Sequence, residues 1–308
     1  MGETMKNIIN YYYNFNLLDV YLVDNKYYFN YKNNDYFFIV FDRPIEDAQS
    51  IYNLFLELKK RRLLTNDIIL NKDNQIITFV NNTPYILLKD NVKNNQININ
   101  DILYIQNNTI NIIKDKKLFR NNWINMWEAK IDYYEQIMNN TLGKYKILNS
   151  TIDYYIGLGE NAISYLVNNK ITNSVLCLSH KRIDINKSAF DFYNPINYIL
   201  DNRVRDFSEY IKNLFFLDMI SINNYKYFLD YMNFTREEYI LLISRLLFPT
   251  YYFDMYDNII NYNLDEKVIE DIINKTDSYI SFIRDIMMYI IYQKRINIPF
   301  IEWIIKDA

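Results

Sequence analysis

The sequence predicts an α+β chain of two lobes: a small antiparallel β lobe with one helix, followed by a large, mainly helical lobe. Three observations predict it. Runs rich in Tyr, Phe, Val and Ile crowd residues 1–90 and are separated by Asp/Asn turns. A polar, Asn-rich stretch follows, from Asp90 to Asn100. From Leu118 onward apolar residues recur every three or four positions. The boundaries that result are 1–90 for the β-rich lobe, 91–117 for a hinge or linker, and 118–308 for the helical lobe. A chain of 308 residues, half of them apolar, can build two such cores.

Taken in order, Val20 to Val23, Tyr27 to Tyr31 and Tyr36 to Phe41 are the first three strands. Asp24-Asn25 and Asn33-Asn34-Asp35 supply turn chemistry between them. Pro44 suits a first helical turn, and Glu46 and Asp47 suit its positive end. Ile51, Leu54, Phe55 and Leu58 mark that helix's apolar face, and Lys59 to Arg62 close it. Strands follow at Ile68 to Leu70, Ile76 to Val80 and Tyr85 to Leu88. Beyond the linker, Trp123, Met126, Trp127, Ile131 and Tyr134 share a helix face, and Thr151 to Asn168 is the next helix. Its Gly157 and Gly159 suggest close backbone packing. An apolar strand ends at His180, and a second apolar stretch ends at Asp201. Helices are expected at Arg203 to Met219, Tyr225 to Met232, Arg236 to Leu247, Leu264 to Asn274 and Asp277 to Lys294. The tail should dock Trp303 on the helical lobe.

Composition narrows the function. The 31 Tyr, 19 Phe, 4 Gly and 5 Pro fit an AT-rich coding bias, not an activity. A net charge of −3 without a basic block argues against a nucleic-acid partner. One Cys, Cys177, excludes an internal disulfide, and with a single His it disfavours a transition-metal centre. No signal peptide opens the chain, and no apolar run reaches membrane-helix length, so the expectation is a cytoplasmic protein. Position 6 is Lys, not the Ser or Thr of a myristoylation signal, and Met5 is a candidate start.

The order of elements resembles the protein-kinase-like fold. A working phosphotransferase of that outline needs a Gly-containing phosphate loop in the first hairpin, a Lys on the third strand and a Glu on the following helix. It also needs a catalytic-loop Asp, and an Asn and a second Asp for magnesium. No Gly lies between Gly2 and Gly143. The third strand carries no Lys, only Lys32 and Arg43 at its flanks, which leaves Glu46 and Glu57 as solvated helix charges. In aminoglycoside- and choline-type kinases the loop reads His-Gly-Asp, then an Asn. Laying His180 on that His puts Arg182 at the catalytic Asp and Lys187 at the metal-binding Asn. A guanidinium accepts no proton near neutral pH, and a lysine repels magnesium. With a shifted register, Asp184 and Asn186 are the candidates. For the magnesium Asp they are Asp201, then Asn194, Asn197 or Asp191. Arg205, able to pair with Glu209, and Asp206, able to cap its helix, read as structural residues, and His180 reads first as loop scaffold.

Longer motifs resemble one family, the CotS/YutH group of spore-coat kinase-like proteins from bacilli and clostridia. They are Thr151 through Ile163, the His180-Lys181-Arg182 loop, Asp201 through Lys212, and Arg245 through Asp254. Trp123 with Trp127, Lys130 through Glu135, and Ile298-Pro299 with Glu302-Trp303 belong to the same set. The resemblance covers about residues 10 to 305. It implies a fold related to aminoglycoside and choline kinases, and a spore-coat location if the organism sporulates. The departures at loop Asp, metal Asn and strand Lys lead to a degenerate kinase-like protein, a pseudokinase acting as a binding or scaffold module. Its expected partner is another protein or a small anionic ligand, and no cofactor is expected. One alternative is an atypical phosphotransferase with an alcohol acceptor, using ATP and magnesium through Asp184, Asn186 or Asp201. Another is a non-catalytic binder of an anion or nucleotide in the inter-lobe cleft.

Overall fold

The computed structural model describes residues 2–92, 96–141, 143–171, 175–186, 188–220 and 222–306. The elements begin with α1 (Gly2–Tyr13), β1 (Tyr21–Val23), β2 (Lys26–Tyr31) and β3 (Asn34–Val40). Next come α2 (Ala48–Lys60), β4 (Asp67–Ile69), β5 (Thr78–Val80), β6 (Thr83–Lys89) and α3 (Ile99–Asn108). The central stretch holds α4 (Trp123–Thr141), α5 (Lys146–Asn169), β7 (Leu176–His180), α6 (Ala189–Phe192) and β8 (Tyr198–Asn202). Helices complete the chain: α7 (Val204–Phe216), α8 (Ile222–Tyr231), α9 (Arg236–Leu247), α10 (Thr250–Tyr262), α11 (Glu270–Met288) and α12 (Glu302–Lys306). Two compact units emerge, the first from residues 1–120 and 176–201, the second from 121–175 and 202–308.

In the first unit a six-stranded sheet runs β1-β2-β3-β6-β4, with β5 also on β6. All pairings are antiparallel, and β6 is central, matching Phe38 to Leu87 on one side and Ile69 to Leu87 on the other. Period-two alternation puts Tyr27 and Phe29 of β2 into the core. The hairpins turn without Gly: Asp24 and Asn25, Lys32 and Asn33, and Asn81 and Asn82 all adopt positive φ. Asn and Asp tolerate that region best among residues with a Cβ, which is how a chain with 4 Gly makes tight turns.

The sequence reading has no helix at the N-terminus, yet α1 is there. Met5, Ile9 and Tyr13, spaced by four, join Tyr27, Phe29, Phe38 and Leu87 in one buried cluster. The segment 91–117, expected as a hinge or linker, carries helix α3, which Asn98 caps through a reciprocal capping box with Asp101 and which buries Ile102 and Leu103. The region 250–262, read only as a motif, is helix α10. The two helices expected over 264–294 are one continuous α11, preceded by a 3-10 turn at Glu266–Ile269 and followed by a π turn at Tyr289–Gln293.

The second unit is built around α9, whose residues from Glu238 to Leu247 are all buried. α5, α7 and α11 pack on it, and α4 packs on α5. Gly159 lets that happen: a Cβ there would sit 2.6 Å from Ile131 Cδ1 and 3.4 Å from Phe248. Gly157 has no such neighbour, so only one of the two glycines marks a close approach. Trp303 does dock, donating from Nε1 to Asn161 Oδ1 of α5 at 3.1 Å.

Candidate functional site

A cavity of about 410 Å³ lies within the first unit. The β1–β2 turn, Asp24 and Asn25, borders it with Lys26. Ile39, Val40 and Asp42 come from the end of β3, and Lys181, Arg182, Ile183 and Asp184 from the segment after β7. Asp191, Phe192, Asn194 and Asn197 complete much of the wall. The first hairpin is only a two-residue turn, with Val23 opposite Lys26. So short a turn offers few backbone N–H groups to cradle a polyphosphate.

The charges lining this cavity are largely engaged with each other. Lys26 Nζ bonds Asp191 Oδ1 at 2.6 Å and lies 5.2 Å from the Phe190 ring centroid. Lys181 Nζ bonds Asp42 Oδ2 at 3.3 Å. Arg182 is exposed and donates from Nη1 to the Lys181 carbonyl at 3.2 Å. Asp184 Oδ1 accepts the backbone N–H of Asn186 at 3.0 Å, an Asx turn that holds the loop. Asn186 is exposed, and Lys187 lies outside the described residues. Asn194 Oδ1 accepts from Ile196 N at 3.0 Å, and Asn197 Nδ2 donates to the Asp191 carbonyl at 2.7 Å.

His180 ends β7 and is 1% exposed. Its Nε2 lies 2.9 Å from the Phe192 carbonyl oxygen, which can only accept, so Nε2 carries a proton. The ring stacks on Phe192 at 4.1 Å and meets Tyr198 edge-on at 5.5 Å. Both contacts fix the path of the loop. Asp201, within β8, is fully buried and is not among the residues lining the cavity.

Two residues in this region stand out only in the structure. Lys26 opens β2, with its partner Asp191 165 positions away. Arg43 is 7% exposed, and its Nε and Nη2 donate to Asp47 Oδ2 at 3.1 and 2.8 Å. Its Nη1 donates to the carbonyls of Ile196 and Tyr198 at 3.3 and 2.7 Å. The start of α2 is thereby tied to the segment beside the cavity. The four-residue spacing of Arg43 and Asp47 was the available signal, although the carbonyl partners left none.

In the second unit, Arg205 and Asp206 are buried in the first turn of α7, where Asn202 Oδ1 accepts the Val204 N–H at 3.1 Å. Glu209, one turn on, accepts from Arg245 Nε at 2.7 Å and lies 3.4 Å from Lys212 Nζ. Burial would raise the Glu209 carboxyl, but Lys212, Arg245 and Arg205 together hold it well below the usual carboxylate range. Lys212 also donates to the Phe248 carbonyl at 3.0 Å and to Thr250 Oγ1 at 3.1 Å, closing the end of α9. Arg245 stacks near Trp123 and Trp127, 5.1 and 5.7 Å from their ring centroids. Among the described residues no group of three or more His, Cys, Asp or Glu is placed to hold a metal, and no helix is long and apolar enough to cross a membrane.

Comparison with known proteins follows the same lines. The family described as "Spore coat putative kinase YutH" matches residues 6–286. The endospore coat-associated protein YutH of Bacillus subtilis (strain 168) is 22% identical over 213 residues, covering 60% of this chain and 62% of that protein. The match thus spans less than two thirds of that relative's length. An aminoglycoside phosphotransferase from Alicyclobacillus acidocaldarius has a TM-score of 0.64 at 10% identity, over 89% of this chain and 93% of that one. The choline kinase LicA of Streptococcus pneumoniae gives 0.53 at 12% identity, over 92% and 99%. These likenesses establish a kinase-like phosphotransferase fold.

Proposed function

The chain belongs to the YutH family of spore-coat kinase-like proteins, and from that premise we propose that it is a binding or scaffold module that does not transfer phosphoryl groups. One observation carries the reading. In the register that lays His180 on the loop histidine of aminoglycoside- and choline-type kinases, Arg182, which lines the cavity, takes the place of the carboxylate that accepts the acceptor's proton, and a guanidinium cannot take one. The surroundings support it. The end of β3 presents Ile39 and Val40 to the cavity where a phosphate-holding lysine would be needed. Among the described residues of the lining, four carboxylates, Asp24, Asp42, Asp184 and Asp191, stand beside three cations, Lys26, Lys181 and Arg182. Two of those cations are already neutralised by Asp191 and Asp42. A triphosphate drawn to Lys26 and Lys181 would have to displace these pairs. The name of the Bacillus subtilis relative supports a location in the spore coat of a spore-forming host.

Melting curves with ATP and magnesium test this, since a ligand that binds only the folded state raises its stability. The expected outcome is no shift at millimolar nucleotide. A shift of several degrees would overturn the reading. If that shift disappeared in Arg182→Ala, the cavity would be an anion or nucleotide site without turnover. A second reading, an atypical phosphotransferase, is favoured only by the Asp184 carboxylate on the cavity wall. Transfer of the ATP γ-phosphoryl group to a small alcohol, lost in Asp184→Asn, would establish it instead.

A further inference from the structure

In the first unit, three successive carbonyls of α6 each receive a side-chain donor from a different segment of the chain. Asn66 Nδ2 donates to the Phe190 oxygen at 2.9 Å, Asn197 Nδ2 to the Asp191 oxygen at 2.7 Å, and His180 Nε2 to the Phe192 oxygen at 2.9 Å. The Asp191 N–H donates to the Ser188 carbonyl at 3.0 Å. A helix of 4 residues has little stability of its own, so these bonds fix the backbone from which the Asp191 carboxylate projects. That carboxylate meets Lys26 Nζ at 2.6 Å, the short distance of a charge-assisted bond. The ammonium also lies 5.2 Å from the Phe190 ring centroid, and that ring packs 4.2 Å from Phe37 of β3. Both partners line the cavity, and their side chains are 23% and 21% exposed, so a solute can reach them.

An ammonium on a cavity wall, steadied by a ring face, is a group that an oxyanion can use. Here the chain supplies the oxyanion itself. The Asp191 carboxylate brings to Lys26 the negative oxygen that a phosphate-type ligand would bring. A fixed internal partner acts at high effective concentration and loses no association entropy, so a dissolved anion is at a disadvantage against it. We propose that Lys26 is a masked anchor for a small oxyanion of the phosphate class, and that Asp191 is the autoinhibitory group that occupies it. The inference rests on the reading that the wild-type cavity holds no nucleotide, and it names one contact that opposes such binding.

Calorimetric titration of the full chain with inorganic pyrophosphate, at fixed ionic strength, tests it. The wild type should show no saturable binding at millimolar pyrophosphate. Asp191→Asn keeps the side chain's shape and removes its charge, and it should bind pyrophosphate at one site, at least about tenfold more tightly than the wild type. Asp191→Ala, which vacates the position, should gain at least as much. Adding Lys26→Met to Asp191→Asn should abolish the gain. Asp24→Asn removes the same charge from the same lining and should not create the site. A cooperative melt confirms the fold of each variant, and if Asp191→Ala fails to fold, Asp191→Asn decides alone. Saturable binding by the wild type would overturn the premise of an empty wild-type cavity together with the mask. A silent wild type with silent Asp191 variants would overturn the mask alone. Affinity kept after Lys26→Met, or an equal gain in Asp24→Asn, would also overturn it, because the anion would then answer to net charge and not to Lys26.

Discussion

Single side chains show how the environment sets chemistry in this protein. His180, the one histidine, is surrounded by Phe192 and Tyr198 and spends its Nε2 proton on a backbone carbonyl. Glu209 is the opposite case, a carboxylate held ionised by neighbouring cations. Its folded-state pKa lies below the unfolded one, so it contributes stability above the ordinary carboxylate range and loses it as the pH falls through the folded value. Glu209→Gln leaves Lys212 and Arg245 without their counter-charge. The variant should lose about 3 kcal/mol at pH 7, the low end for a broken buried pair because the Glu209 side chain is 18% exposed. The deficit should shrink once the pH falls below the ordinary carboxylate range, where the unfolded chain takes up a proton at Glu209 that the folded protein still excludes. Urea denaturation at pH 7 and pH 3 measures both, and a deficit constant with pH would contradict the assignment.

At the scale of elements, close approach and capping decide what periodicity leaves open. The capping box of α9, Thr235 with Glu238, is legible in the sequence, but the bond from Arg203 Nη2 to Glu238 Oε2 at 2.6 Å is not. Within α5 the two glycines separate cleanly. Gly157→Ala adds a methyl in open space and removes the conformational freedom of glycine in the unfolded chain, so it should stabilise by about 0.5–1 kcal/mol. Gly159→Ala should destabilise by about 1–3 kcal/mol, since the methyl must push Ile131 aside in a packed helix pair. Chemical denaturation of the two variants should give opposite signs. Helix α1 illustrates the limit of local reading: Met5, Ile9 and Tyr13 have helical spacing, but the surrounding Tyr and Asn residues favour helix only weakly. Packing on the sheet supplies the rest.

For the whole molecule, the consequence lies in which residues fold together. The segment 176–201 belongs to the same compact unit as residues 1–120. Asn66 donates from Nδ2 to the Phe190 carbonyl at 2.9 Å, Leu178 N donates to Thr109 Oγ1 at 3.0 Å, and Arg43 reaches Tyr198. A fragment of residues 1–120 would leave these buried polar groups unsatisfied and the faces that pack on β7 and β8 exposed. It should fail to unfold cooperatively, whereas the full chain should. Circular dichroism melts of the fragment and the full chain compare them, and a cooperative transition in the fragment would contradict the grouping.

The sequence by itself determined what depends on neighbours along the chain. Strand alternation, helical spacing and Asp/Asn turns gave the three-strand, helix, further-strand order and the helical run after it, and the loop at His180 with its Arg182 could be read without coordinates. Its motifs also pointed to the YutH family. Only the tertiary structure decided what depends on residues far apart in sequence. Lys26 meets Asp191 across 165 positions, Arg43 caps carbonyls more than 150 positions away, and Asp201 is fully buried. An ion pair or a buried carboxylate is a property of the space around a group, and the periodicities of a single chain carry no record of that space.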